Sequence, residues 1–147
     1  MSLNITTKLI EESRISSFDP ENIVFGKIFT DHMFSCDYSN GTWGDFRIEP
    51  FGKIPLSPTL SALHYGQAIF EGMKAYKNSE GVITLFRPLD NLARLNRSAV
   101  RMCMPELPAE IFMEALNKLL LTDSEWIPTK KGSSLYIRPF MFATDVT

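Results

Sequence analysis

The sequence has few of the residues that build metal centres or covalent staples. It contains two cysteines, Cys36 and Cys103, and two histidines, His32 and His64. The cysteines form no CxxC pair, which argues against a Cys/His metal site. They read as reduced thiols of a reducing, cytoplasmic compartment. Neither sign of charge dominates: a net charge of −2 gives no electrostatic case for nucleic acid or an anionic membrane surface. No apolar run approaches the ~20 residues that span a bilayer. The opening MSLNITTKLIEESR lacks the apolar core of a secretory signal, and its acidic residues argue against a transit peptide. Internal repeats, low-complexity segments and glycine-rich phosphate loops of the P-loop or Rossmann kind are missing as well. A Ser–His–Asp triad can be drawn on paper from His64 and Asp90, but no nucleophile elbow supports it.

What remains is ordinary for a globular domain. The chain has 147 residues, 44% hydrophobic and 22% charged, enough for one core without disulfides. Residues 1–20 are polar and read as a loosely ordered lead-in. From Ile23 to Tyr38 the chain is rich in Ile, Val, Phe and Thr, which suits strands. Asn40-Gly41 signals a hairpin turn, with a return strand through Phe46 and Ile48 and reaching toward Phe51. A second hairpin joins 73–76 to 82–86 across Asn78-Ser79-Glu80-Gly81. Pro88 opens a helix to about Met102, with Leu89, Leu92, Leu95, Ala99 and Met102 at helical spacing. Another helix runs from about Pro108 to Asp123, its stripe formed by Ile111, Phe112, Ala115, Leu116 and Leu119. A last strand spans 134–143. These elements predict an α+β fold, a largely antiparallel sheet with flanking helices.

Two cationic features stand out. In SSLYIRPFMFATD a permanent charge, Arg138, sits at the centre of an apolar run. Strand alternation puts Tyr136 and Arg138 on one face, an arrangement suited to a carboxylate. The commoner arrangement is an arginine paired with an internal acid or reaching to water. Whether Phe140 shares that face depends on Pro139, because proline in a strand favours an edge or a bulge. On the first long helix Arg94, Arg97 and Arg101 form one stripe, either a solvated face or a place where one arginine reaches a phosphate. In LHYGQAIFEGMKAY, Gly72 offers either close backbone approach or a turn into the strand, and His64, Tyr65 and Phe70 are either pocket lining or core.

Four stretches, VFGKIFTDHM at 24–33, LHYGQAIFEGMKAY at 63–76, LFRPLDNLARLNRSAVRMCMPELP at 85–108 and LYIRPF at 135–140, resemble the branched-chain aminotransferases. These are fold-type IV pyridoxal-phosphate enzymes, and the stretches follow the family's order and spacing. The resemblance implies the small domain of such an enzyme over residues 21–143, with 144–147 beginning the connection to a larger domain. It implies that Arg94 holds the phosphate of pyridoxal 5′-phosphate. It also implies that Phe25, Tyr65, Phe70, Tyr136 and Arg138 contact substrate, Tyr65 reaching the site of a neighbouring subunit in a homodimer. Arg138 would accept the distal carboxylate of glutamate. The implied activity is amino transfer between leucine, isoleucine or valine and 2-oxoglutarate. In the family the Schiff-base lysine lies in the larger domain, and no lysine here sits in that context. Lys74, in FEGMKAY, aligns with a strand position. No catalytic residue and no metal ligand is therefore assigned, and the chain alone is expected to be inactive. The Tyr-x-Arg of LYIRP favours this group over two other fold-type IV enzymes, a D-amino-acid aminotransferase and an aminodeoxychorismate lyase. A non-catalytic binding module is the alternative from another class.

Overall fold

The structure, a computed structural model, describes residues 3–19 and 21–145. Its strands are β1 (Thr6–Thr7), β2 (His32–Ser39), β3 (Thr42–Pro50), β4 (Ala68–Phe70), β5 (Met73–Lys77), β6 (Ile83–Leu85), β7 (Leu135–Ile137) and β8 (Phe140–Phe142). Its helices are α1 (Ser61–Tyr65), α2 (Pro88–Arg101) and α3 (Ala109–Thr122), with short 3-10 turns at Arg14–Ser17 and Ser124–Trp126. One sheet has the order β1-β3-β2, another β6-β5-β7, and β4 pairs with β8. All pairings are antiparallel except β1 with β3. The fold is α+β, with α2 and α3 over the strands.

Local sequence explains the turns. Asn40 and Gly41 both have positive φ, 51° and 82°, as a two-residue turn that follows the strand twist requires. Ser39 therefore pairs directly with Thr42. At the second hairpin the Asn78 side chain accepts the amide N–H groups of Glu80 and Val82. Pro88 opens α2, where its missing N–H costs nothing.

Three expectations are corrected. The stretch 23–31 is not a strand. Gly26 is left-handed at φ 76° within a turn closed by Lys27 N–H to the Val24 carbonyl, so β2 begins only at His32. On α2 Leu89 is exposed, and on α3 the buried residue of the last turn is Leu120 rather than Leu119, following the 111, 112, 115, 116, 120 stripe. The final strand is interrupted at Arg138-Pro139, because Pro139 has no N–H for the ladder. No bulge accompanies the interruption: Phe70 pairs with Phe140 and Met73 with Ile137, in one continuous register. Alternation survives the proline.

The core is built by Ile69, Met73 and Ala75 from β4 and β5, Leu92, Leu95 and Ala99 from α2, and Phe112, Leu116 and Leu120 from α3. Residues 3–19, which the sequence presents as loosely ordered, have several attachments. Ile5 is buried, the Ile10 N–H donates to His32 Nε2 at 2.9 Å, and Arg14 binds Asp31. His32 Nδ1 meets Asp123 Oδ1 at 2.6 Å, tying β2 to the end of α3.

Burial raises the pKa of the Asp31 carboxyl, but hydrogen bonds from Ser13 Oγ, Trp126 Nε1 and the Arg14 backbone and side chain more than offset this. The carboxyl is held at about 2, against an ordinary 3.8. A depressed carboxylate contributes stability that is complete above its unfolded value and lost as pH falls toward the folded one. Asp31 should therefore contribute about 2 kcal/mol that disappears between about pH 5 and about pH 2. Denaturant unfolding of the parent and of Asp31→Asn should show their stability gap shrinking by that amount on acidification; a constant gap would refute the assignment.

Candidate functional site

The continuous register of β4-β5 against β7-β8 produces two faces. Ile69, Glu71, Met73 and Ala75 point into the protein and are buried, while Phe70, Lys74 and Tyr76 point outward. Opposite them, Tyr136, Arg138 and Phe140 share the outer face.

On that outer face four of the expected residues meet. Arg138 Nη2 donates to Tyr136 Oη at 3.2 Å. Its guanidinium lies over the Phe70 ring at 4.8 Å and the Tyr136 ring at 5.3 Å. Phe25 sets its edge against Tyr136, with ring centroids 5.2 Å apart. Arg138 forms no salt bridge among the described residues. It is an exposed cation resting on aromatic rings. Tyr65 stands apart at the end of α1, where Gly66 at φ 65° stops the helix, and it is 72% exposed. Lys74 lies on β5, opposite Tyr136.

Arg94 is held from the inward-pointing row, through Glu71. It projects from α2, and its Nε and Nη2 grip both oxygens of Glu71. Arg97 and Arg101 are exposed. Beside Arg94 lies an open depression of about 340 Å³ lined by Phe86, Arg87, Asp90, Asn91 and Arg97. The hydrogen bonds from Arg94 come first among the influences on the Glu71 carboxyl. With the Gly72 N–H they hold it below the usual carboxylate range despite burial. The internal acid weighed as a partner for Arg138 is absent among the described residues, while Arg94, weighed as a solvated or phosphate-reaching side chain, has one in Glu71.

Glu71 escaped the sequence reading, although its signal was present. Period-two alternation through Ile69-Glu71-Met73-Ala75 puts a carboxylate in a buried row, which calls for a cationic partner. The triad drawn from His64 and Asp90 does not assemble: His64 Nε2 donates to the Pro58 carbonyl, and Asp90 pairs with Arg87. Both cysteines are free, and burial together with the Asp37 charge pushes the Cys36 thiol up to about 11. No helix among the described residues is long and apolar enough to cross a membrane.

The α+β layout matches that of a solved fold-type IV pyridoxal-phosphate enzyme. No protein-family model matches the chain. Full-length relatives do, and they are branched-chain aminotransferases, to which this chain is homologous over nearly all of its length. It is 48% identical to branched-chain-amino-acid transaminase 1 of Bacillus subtilis (strain 168) over 143 residues, 94% of this chain and 40% of that protein. It is 46% identical to the branched-chain-amino-acid aminotransferase of Mycolicibacterium smegmatis over 144 residues, 97% of this chain and 38% of that protein. A solved branched-chain amino acid aminotransferase from T.th., complexed with N-(5′-phosphopyridoxyl)-L-glutamate, superposes with a TM-score of 0.51 at 29% identity. The match covers 67% of this chain and 30% of that one. The chain therefore spans roughly two-fifths of the length of the curated relatives it matches.

Proposed function

We propose that residues 21–143 are the small domain of a branched-chain aminotransferase, with 144–147 leading toward a larger domain; Val146 and Thr147 lie outside the described residues. The observation that carries this reading is Arg138, a cation with an aromatic cradle and no acidic partner among the described residues. In this reading its partner is the distal carboxylate of glutamate or 2-oxoglutarate, gripped by the guanidinium fork and the Tyr136 hydroxyl. Phe25 and Phe70 supply the apolar wall that a leucine, isoleucine or valine side chain needs when it occupies the same space.

The residues fit pyridoxal 5′-phosphate at one end. The inner edge of Arg94 is taken by Glu71, while its remaining N–H groups are without a partner among the described residues and can meet a phosphate. Bound there, the cofactor supplies an electron sink for bond changes at the amino-bearing carbon. Arg94 anchors, Arg138 and Tyr136 orient, and the aromatic wall excludes water. Tyr65, exposed at the end of α1, is assigned to the site of a neighbouring subunit in a homodimer. A cytoplasmic location belongs to the same proposal and is supported by the two free thiols.

The lysine that would hold the cofactor covalently is assigned to the larger domain. The 147-residue chain alone should accordingly show no amino transfer from leucine to 2-oxoglutarate. Joined to the large domain of the Bacillus subtilis relative, it should acquire that activity. Robust turnover by the purified chain would falsify the division of labour, and a folded, cofactor-loaded chimera without transamination would count against the function itself.

A further inference from the structure

The Glu71–Arg94 pair raises a question that phosphate anchoring does not answer. An arginine meant for an anion is half neutralised by a carboxylate at 5% exposure, which ought to weaken it. Burying a carboxylate is costly, so its presence needs a compensating use.

The local geometry supplies one. Glu71 is fixed at both ends: its backbone N–H donates to the Pro139 carbonyl at 2.8 Å, and its Oε1 accepts the Gly72 N–H at 2.7 Å. One turn before Arg94, Asn91 Nδ2 donates to the Gly72 carbonyl at 3.2 Å, so α2 is fastened to the same strand step twice. Both carboxylate oxygens receive Arg94, through Nε and Nη2. A guanidinium has five N–H donors in a rigid plane, and a fork at one edge fixes the direction of the other. The Arg94 side chain is 60% exposed. A free arginine at such exposure would sample many rotamers.

We propose that Glu71 is a positioning residue: it clamps the inner edge of Arg94 so that Nη1 and the remaining Nη2 hydrogen face a phosphate ester in a fixed orientation. This rests on the reading of Arg94 as the phosphate anchor and adds the residue that orients it. The opposing effect is Coulombic, since a carboxylate behind the guanidinium repels the incoming anion. At an exposed, water-screened edge that repulsion is small, whereas ordering a long, flexible side chain on binding is not. Pre-ordering wins, and the two effects carry opposite signs.

That difference in sign is the test. The 147-residue chain, isotope-labelled at arginine, is titrated with pyridoxine 5′-phosphate, which has no aldehyde to capture lysines; pyridoxine serves as the control lacking phosphate. In the parent chain the Arg94 Nε–H should exchange slowly with water and shift on addition of the ester. In Glu71→Gln, which cannot accept at both positions, exchange should become fast and ester affinity should fall roughly three- to tenfold. Equal or tighter binding by folded Glu71→Gln overturns the proposal, because loss of a nearby negative charge would then be all that mattered. Should that variant not fold, the parent still decides: a rapidly exchanging Arg94 Nε–H means no clamp exists. Arg94→Met separates the two levels. If it binds the ester as the parent does, the anchor reading itself fails, whatever Glu71→Gln shows.

Discussion

Arg138→Met, in a protein carrying this segment at full family length, should cut kcat/KM for glutamate and 2-oxoglutarate by roughly tenfold to a hundredfold. That corresponds to one charge-assisted hydrogen-bonding interaction. Leucine should be affected much less. Methionine keeps a long apolar stem over the Phe70 ring, where the guanidinium now lies at 4.8 Å, so the wall that faces a branched side chain persists. What disappears is the fork and its bond to Tyr136. Arg94→Met should behave differently, because the lost contact is with cofactor common to both half-reactions: cofactor retention falls, and leucine and glutamate suffer together. Single-turnover measurement of each half-reaction separates the cases. Equal losses for leucine and glutamate in Arg138→Met, with cofactor content intact, would mean that the arginine serves the fold.

The sequence made much of this legible for identifiable reasons. Hairpins at Asn40-Gly41 and Asn78–Gly81 were readable because turn chemistry is local. Helix α2 was readable because Pro88 marks its start and Leu92, Leu95 and Ala99 its buried stripe. Long-range pairing was not. Residues 23–30 have the composition of a strand, yet nothing in composition says that no neighbour pairs with them, and Gly26 turns the chain away. The same limit applied to the arginines. Spacing placed Arg94, Arg97 and Arg101 on one stripe, but Glu71, 23 residues earlier, decides which of them is held. The face carrying Tyr136 and Arg138 was deducible, whereas its extension past Pro139 required the register with β4. Resemblance to the family supplied roles that spacing left open, and the structure adds which of those residues touch.

Gly72→Ala tests that face at its tightest point. A methyl placed on Gly72 would lie 2.3 Å from Tyr136 Oη, 2.9 Å from Cζ and 3.1 Å from Cε2, so the tyrosine ring must leave its position. Overpacking of this kind costs about 1–3 kcal/mol, measured as a fall in denaturant midpoint. The functional consequence in the full-length protein should be larger than the loss of stability implies. Displacing the ring breaks the Tyr136–Arg138 hydrogen bond and the edge contact with Phe25 together, leaving the guanidinium without its tyrosine orienter. Use of glutamate should fall roughly tenfold or more, the effect of misplacing rather than deleting a binding group. The cause is isolated by a double-mutant cycle. In a Tyr136→Ala background the three atoms nearest the added methyl are gone, and Gly72→Ala should cost much less there, giving a coupling energy above about 1 kcal/mol. If the two substitutions are instead additive, the ring does not lie over Gly72 and the glycine serves backbone geometry alone. A strong coupling would show that a missing side chain just before β5 is what lets Tyr136 lie flat and hold Arg138.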